Sequence, residues 1–150
     1  MVHFIGEYNC TMDAKGRIML PKALVAQLPD DSKEQLVVNC GFEKCLVLYT
    51  KDEWNRITTE LNKLNTFIKE NRDFLRLFNR GANILTTDAN GRILIPKNLQ
   101  EYGGLKSDVV FVTNSSKIEL WDKANYEAEM NKNPEQYSEL AERVMKGIVL

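Results

Sequence analysis

Two aspartate–arginine pairs have the residue types and spacing best suited to chemistry in this sequence. Asp13 precedes Arg17 by four positions, and Asp88 precedes Arg92 by the same interval. Each pair lies in a twelve-residue segment that occurs twice, at residues 11–22 and 86–97, with eight of the twelve positions identical. A guanidinium is a planar fork of donors that can contact guanine O6 and N7 together or clamp a phosphate. The two arginines could therefore bind a nucleic acid, or they could serve only as salt bridges to Asp13 and Asp88 that stabilise the turns.

Turn chemistry predicts that each copy forms the tip of a hairpin. Asp13 to Gly16, like Asp88 to Gly91, places aspartate first and glycine fourth. Aspartate in the first position accepts hydrogen bonds from backbone N–H groups ahead of it, and glycine in the fourth adopts a left-handed conformation without steric cost. The residues that follow alternate in polarity, and their apolar face holds Ile18, Leu20, Ile93 and Ile95. Burial of that face would point both arginines outward, because side chains alternate along a strand.

Composition and motif content argue against several classes of function. Three cysteines and a single histidine lack the spacing of a metal site, so buried thiols are expected instead. The sequence has no nucleophile beside a base, no recurring carboxylate pair and no glycine-rich phosphate loop, so an enzyme, a cofactor and a small-molecule substrate are not expected. No apolar run approaches the roughly 20 residues of a membrane span, which favours a cytoplasmic protein without a membrane partner.

Hydrophobic periodicity predicts two similar halves, each a strand, a turn, a short helix, a hairpin and a helix. The predicted boundaries are 6–54 for the first repeat, 55–80 for a helical connection, 82–126 for the second repeat and 131–150 for a helical tail. Apolar residues from Trp54 to Ile68 recur at three- and four-residue steps, which predicts one helical stripe with Asp52 as its cap. A second helix is predicted at 71–78.

Small halves with few strands cannot bury both faces of their sheets alone. Two copies in one chain can instead pair about a pseudo-two-fold axis and close a common barrel. The predicted fold is therefore α+β and β-rich, with one barrel shared by both repeats and the helices packed outside.

The duplicated segment and its flanks resemble the MraZ family of bacterial transcription regulators, which are built from two SpoVT–AbrB-type swapped-hairpin repeats. The resemblance rests on both aspartate–arginine motifs and on residues 45–54, 74–78 with 81–82, 91–96 and 101–105. It runs from about residue 6 to residue 126, and the tail after about residue 131 lies outside it.

The resemblance implies a sequence-specific DNA-binding regulator that assembles into a closed homo-oligomeric ring and associates with the nucleoid. Such regulators bind short tandem repeats in double-stranded DNA upstream of the division and cell-wall gene cluster, which includes their own gene, and usually repress it. The family's DNA-contacting arginines correspond to Arg17 and Arg92 in this sequence.

Physical arguments also predict roles for the residues near Arg17 and Arg92. Lys15 at the first tip and Asn90 at the second are candidate DNA contacts, and the lysine should contribute more to phosphate attraction. Lys22 and Lys97 follow the two strands and are expected to reach phosphates, which position a protein without reading sequence. The carboxylates would repel phosphate, so support of the turns or of the arginines is expected for Asp13, Gly16, Asp88 and Gly91.

Three alternatives remain open from the sequence. The aspartate–arginine pairs could serve only as salt bridges that stabilise the turns. The chain could bind DNA broadly as a nucleoid-associated protein with little sequence preference. It could also be an antitoxin-type module whose tail wraps a toxin, although two repeats in one chain and a helical tail argue against that class.

Overall fold

The computed structural model describes residues 2–149 and contains eight strands and six α-helices in that range. The helices are α1 (Lys22–Val25), α2 (Lys51–Leu61), α3 (Lys69–Asn79), α4 (Lys97–Gly103), α5 (Lys123–Glu129) and α6 (Pro134–Val144). The strands are β1 (Glu7–Thr11), β2 (Arg17–Met19), β3 (Gln35–Cys40), β4 (Leu46–Tyr49), β5 (Asn83–Thr86), β6 (Arg92–Leu94), β7 (Asp108–Asn114) and β8 (Lys117–Asp122). The α+β class predicted from the sequence is confirmed.

The strands form one six-stranded sheet and one two-stranded ribbon, and both are shared between the repeats. The sheet has the order β1-β7-β8-β4-β3-β5, and the ribbon pairs β2 with β6. All of these pairs are antiparallel. The first strand of each repeat thus pairs with the hairpin of the other repeat, so neither half completes its sheet alone.

The predicted closed barrel is not confirmed. Among the described strands, the ladder of the large sheet ends at β1 on one side and at β5 on the other. The predicted hairpin tips also differ in their pairing, since β1 and β2 meet only through the single bridge between Met12 and Ile18. The turns themselves are present, and the strands that leave them pair across the repeats.

One hydrophobic core lies between the sheet, the ribbon and the short helices. The predicted apolar face of the ribbon is fully buried, with Ile18 and Ile93 both at 0% exposure. Burial of a side chain of this size contributes roughly 1.5–3 kcal/mol. Of the three thiols predicted to be buried, Cys45 is buried, whereas Cys10 and Cys40 are half-buried. Within residues 2–149, no helix is both long enough and apolar enough to cross a bilayer.

The helical connection between the repeats breaks where the sequence pattern predicted continuity. α2 ends at Leu61 and α3 begins at Lys69, so the predicted stripe from Trp54 to Ile68 is not one helix. The two helices are joined by aromatic stacking instead, because the rings of Trp54 and Phe78 lie 5.6 Å apart and nearly parallel. The last residues of the predicted stripe lie outside both helices, since Leu64 is in the connection and Ile68 is the N-cap residue of α3 and is 49% exposed.

The predicted cap of α2 is also wrong. Thr50 occupies the N-cap position and its hydroxyl accepts a hydrogen bond from the Glu53 backbone N–H at 3.1 Å. Asp52 lies within the first turn, where its charge suits the positive end of the helix dipole. Threonine and aspartate are both common caps, so residue type alone did not decide between them.

We expect Thr50→Ala to lower the free energy of unfolding by about 1 kcal/mol, because it removes the N-cap acceptor of α2. Thr59→Ala makes the same chemical change at an exposed position of the same helix, where alanine is the better helix former and little loss is expected. Urea unfolding of the two variants measures the difference. A larger loss for Asp52→Ala than for Thr50→Ala would contradict the assigned cap.

Candidate nucleic-acid interface

The two arginine motifs meet on the outer face of the β2–β6 ribbon. In its register Arg17 lies opposite Leu94, and Met19 lies opposite Arg92. All four side chains share the face that the buried isoleucines leave to solvent, and Met19 and Leu94 are 51% and 55% exposed. The arginines are therefore diagonal neighbours, and side chains so placed on an antiparallel pair lie roughly 7–8 Å apart.

At the first tip, Asp13 organises both the turn and the arginine. One carboxylate oxygen of Asp13 accepts from the backbone N–H of Lys15 at 3.0 Å and of Arg17 at 2.8 Å. Its other oxygen accepts from Arg17 Nε at 2.7 Å. The turn is closed by a hydrogen bond from the Gly16 N–H to the Asp13 carbonyl at 3.0 Å. Asp13 and Gly16 thus supply the hydrogen bonds that close the first turn.

The second tip repeats this arrangement. Asp88 accepts from the backbone N–H groups of Asn90 and Arg92, each at 2.9 Å, and from Arg92 Nε at 2.9 Å. The Gly91 N–H closes the turn on the Asp88 carbonyl at 3.0 Å. Both guanidinium groups form their hydrogen bonds to residues 2–149 through Nε alone. Their Nη atoms therefore have donors left for an acceptor outside the chain.

The salt bridges between each aspartate and its arginine, which the sequence left open as an alternative role, are thus part of the arrangement at both tips. Arg17 and Asp13 are 33% and 39% exposed, and Arg92 and Asp88 are 29% and 38% exposed. Ion pairs this accessible to solvent contribute little to stability. The carboxylates orient the guanidinium groups, because the bond at Nε leaves the outer edge of each fork facing away from the turn.

The backbone N–H groups of Arg17 and Arg92 are the largest cause of lowered pKa values at Asp13 and Asp88. Partial desolvation opposes the shift, and the guanidinium groups reinforce it. Both aspartates are therefore ionised at neutral pH, and their negative charge is held against their own turns.

The two tips differ in packing as well as in residue type. Gly16 and Gly91 both have positive φ, at 90° and 80°. A Cβ on Gly16 would lie 2.0 Å from Nε2 of Gln100 in α4, whereas a Cβ on Gly91 would first meet Met19 Sδ at 3.7 Å. The first tip therefore packs against a helix of the other repeat, and the second tip is open.

The remaining predicted site residues lie at exposed positions around the ribbon. Lys15 and Asn90 occupy the third position of their turns, and Lys22 and Lys97 begin α1 and α4 directly after Pro21 and Pro96. None of the three lysines forms an ion pair within residues 2–149. In the same range, no group of histidine, cysteine, aspartate and glutamate is arranged to hold a metal ion.

Reasoning from the sequence did not find that β2 and β6 pair with each other. It placed each arginine on a separate tip, whereas the ribbon unites both motifs and adds Met19 and Leu94 between them. The signal was available, because two near-identical short strands in one chain can pair about the axis that relates them.

We expect acid to weaken the fold partly through the two tips. Because the folded-state pKa values of Asp13 and Asp88 lie below the unfolded value of about 3.9, their contribution is present above that pH and is lost as the pH falls through the folded-state values. Between about pH 5 and about pH 2.5, the melting temperature of the Asp13→Asn/Asp88→Asn double variant should therefore fall less than that of the wild type. Calorimetry across this range measures it.

Asp108→Asn serves as the control, because this exposed carboxylate at the start of β7 lies outside the helix termini and has no basic partner among the described residues. It should follow the wild-type dependence. If the double variant does so as well, the carboxylates at the tips make no contribution to acid sensitivity.

Comparison with known proteins identifies the family of this chain. The family model described as MraZ protein, antitoxin-like, matches twice, over residues 3–77 and 78–147. The match extends into α6, beyond the segment on which the sequence resemblance was based. A transcriptional regulator MraZ from Christiangramia forsetii is 40% identical over 146 residues, covering 97% of this chain and 94% of the relative. Proteins of the same name from Flavobacterium psychrophilum and Cytophaga hutchinsonii are each 39% identical over 145 residues, covering 96% and 97% of this chain and 92% and 96% of the relatives. The chain belongs to the MraZ family.

Proposed function

We propose that this chain is a sequence-specific DNA-binding transcriptional regulator that contacts DNA through the outer face of the β2–β6 ribbon. The observation that carries the proposal is that Arg17 and Arg92 lie as diagonal neighbours on one exposed face of the ribbon. The Nε–H of each arginine donates to the aspartate of its own turn. The names of the relatives support a role in transcription. A transcription regulator is not an enzyme, and no catalytic role is assigned to any residue.

A two-stranded ribbon such as β2–β6 is one of the elements that can read the major groove. The major groove of B-DNA admits a two-stranded β-ribbon, and arginine can contact guanine O6 and N7 with both arms of its fork. The free Nη atoms of Arg17 and Arg92 supply those arms. Met19 and Leu94 lie between them on the same face, where apolar side chains can contact thymine methyl groups.

Residues around the ribbon would fix its position on the duplex. Lys15, Lys22 and Lys97 are exposed, and lysine contacts to phosphate add affinity that falls with salt. Asn90 replaces the lysine at the second tip, where its amide can bond to a base edge or a phosphate. The first tip should therefore add more to the electrostatic part of binding than the second.

Assembly would supply the affinity that a single ribbon lacks. The chain has a net charge of −1, so its affinity for DNA depends on local placement of cations. A closed homo-oligomeric ring presents many ribbons, and tandem sites would engage several at once at high effective concentration. We propose that the ring binds short tandem repeats upstream of the division and cell-wall gene cluster, which includes its own gene, and that it represses this cluster. We also propose that it resides at the nucleoid in the cytoplasm.

We expect Arg17→Ala and Arg92→Ala each to weaken binding to promoter-repeat DNA by roughly 5- to 150-fold, the equivalent of losing one base contact. Lys22→Ala should instead weaken binding to all sequences and reduce the slope of log affinity against log salt by about one per lost phosphate contact. Titrations at several salt concentrations measure both quantities. Lys63→Ala removes an exposed cation that follows α2, away from the ribbon, and serves as the control.

Competition with random DNA separates the proposal from its nearest rival. A specific regulator should keep its preference for promoter repeats, and the arginine variants should lose that preference more than they lose total binding. Equal affinity of the wild type for random and promoter DNA would favour a broad nucleoid-binding protein. Unchanged affinity in both arginine variants would remove the ribbon as the DNA contact.

A further inference from the structure

The tail helix α6 has an apolar stripe that residues 2–149 of its own chain do not cover. Asn133 caps it through a full capping box with Gln136. Within α6 every residue is exposed except the half-buried Ala141. Tyr137 and Val144 are 70% and 65% exposed, and with Leu140 they follow the three- and four-residue spacing of a single helix face. A well-capped amphipathic helix therefore stands with its apolar side unpartnered.

The body of the chain carries an apolar groove of about 680 Å³ between α3, α4 and the β3–β4 turn. Its rim holds Phe42 at 88% exposure, Leu77 at 65% and Tyr102 at 42%. Phe78 lines the same groove and stacks against Trp54 beneath it. The Tyr102 hydroxyl donates to the Gly41 carbonyl at 2.5 Å, which ties α4 to the turn across the groove. The groove is thus held open by contacts within the chain.

Charge distinguishes the helix from the groove. Three glutamates and one arginine give α6 a net charge of −2. Across the groove, α3 and the Arg80 that follows it carry four basic residues (Lys69, Arg72, Arg76 and Arg80) and two acidic ones, a net charge of +2. α4 adds one lysine and one glutamate, which cancel. The charged residues that line the groove itself are Arg80 and Glu101, so the excess positive charge lies along α3 beside the groove and is opposite in sign to that of α6.

We propose that α6 of one copy of this chain docks in the α3–α4 groove of a second copy. Both α3 and α6 have 11 residues, so each is roughly 16 Å long. The exposure of α6 and the openness of the groove in one and the same chain show that the helix does not fill its own groove. Contact between different surfaces of two copies is heterologous, and such contacts build rings when the rotation closes.

The inference rests on the proposed self-assembly and names the contact that produces it. Leu140→Asp places a charge on the apolar stripe, and Leu77→Asp places one on the groove rim. Both leucines are exposed, at 39% and 65%, so each variant should fold, as far-UV circular dichroism will show. Each alone should sediment as a single chain of 17.3 kDa. The matched controls Ser138→Asp and Asn79→Asp introduce the same charge on α6 and α3 away from the apolar residues, and should assemble as wild type does.

Mixing the two defective variants gives the decisive measurement. The Leu77→Asp chain keeps an intact tail and the Leu140→Asp chain keeps an intact groove, so an equimolar mixture should form a particle of twice the 17.3 kDa chain mass and no larger. Trp54, stacked on Phe78 of the groove, should change its fluorescence on mixing.

Three results would overturn the inference. Assembly of Leu140→Asp at the wild-type mass would leave the proposed ring standing but would exclude this contact. Two single-chain variants that stay single when mixed would exclude docking between copies. A wild type that sediments as a single chain at every concentration would overturn the ring and this contact together, while the DNA-binding test of the arginines remains independent.

Discussion

The antiparallel pairing of β2 with β6 is the interaction on which the rest of the structure depends. It buries Ile18 and Ile93 completely, one from each repeat. It is extended at both ends by bonds between the repeats, from the Leu20 N–H to the Gly91 carbonyl and from the Ile95 N–H to the Gly16 carbonyl. A strand of three residues has little stability by itself, so each short strand needs the other. The same pairing turns two separate arginine motifs into one surface.

The aspartates explain why those motifs keep a fixed geometry on such short strands. Each carboxylate accepts two backbone N–H groups of its own turn and the Nε–H of its arginine. An arginine free to rotate would lose side-chain entropy on binding, and that loss would oppose affinity. Holding it at Nε fixes the direction of the fork before any partner arrives. The ion pair and the DNA contact are thus compatible uses of one guanidinium.

Local patterns predicted the parts of this site, and long-range pairing decided its form. The turn at Asp13 to Gly16 and the burial of Ile18 follow from side-chain type and strand period, which act over a few residues. The partner of β2 lies 75 residues away, and no local signal specifies it. The missed break between α2 and α3 shows the limit of local spacing, because the apolar period continues through Leu64 to Ile68 although α2 ends at Leu61. The preference of Thr50 over Asp52 as cap depends on where β4 ends, which composition does not reveal.

The repeat also accounts for why one chain could carry two complementary surfaces. α6 follows α5 in the second repeat as α3 follows α2 in the first. Trp54 in α2 packs on Tyr49 of β4, as Tyr126 in α5 packs on Trp121 of β8. Trp54 also stacks on Phe78 of α3, and no such aromatic contact joins α5 to α6 among residues 2–149. The two helices therefore hold equivalent positions in the order of elements but differ in net charge. If both repeats presented the same surface, two copies of the chain would favour a self-complementary dimer. Because α3 and α6 differ, each copy instead favours a head-to-tail contact with the next copy.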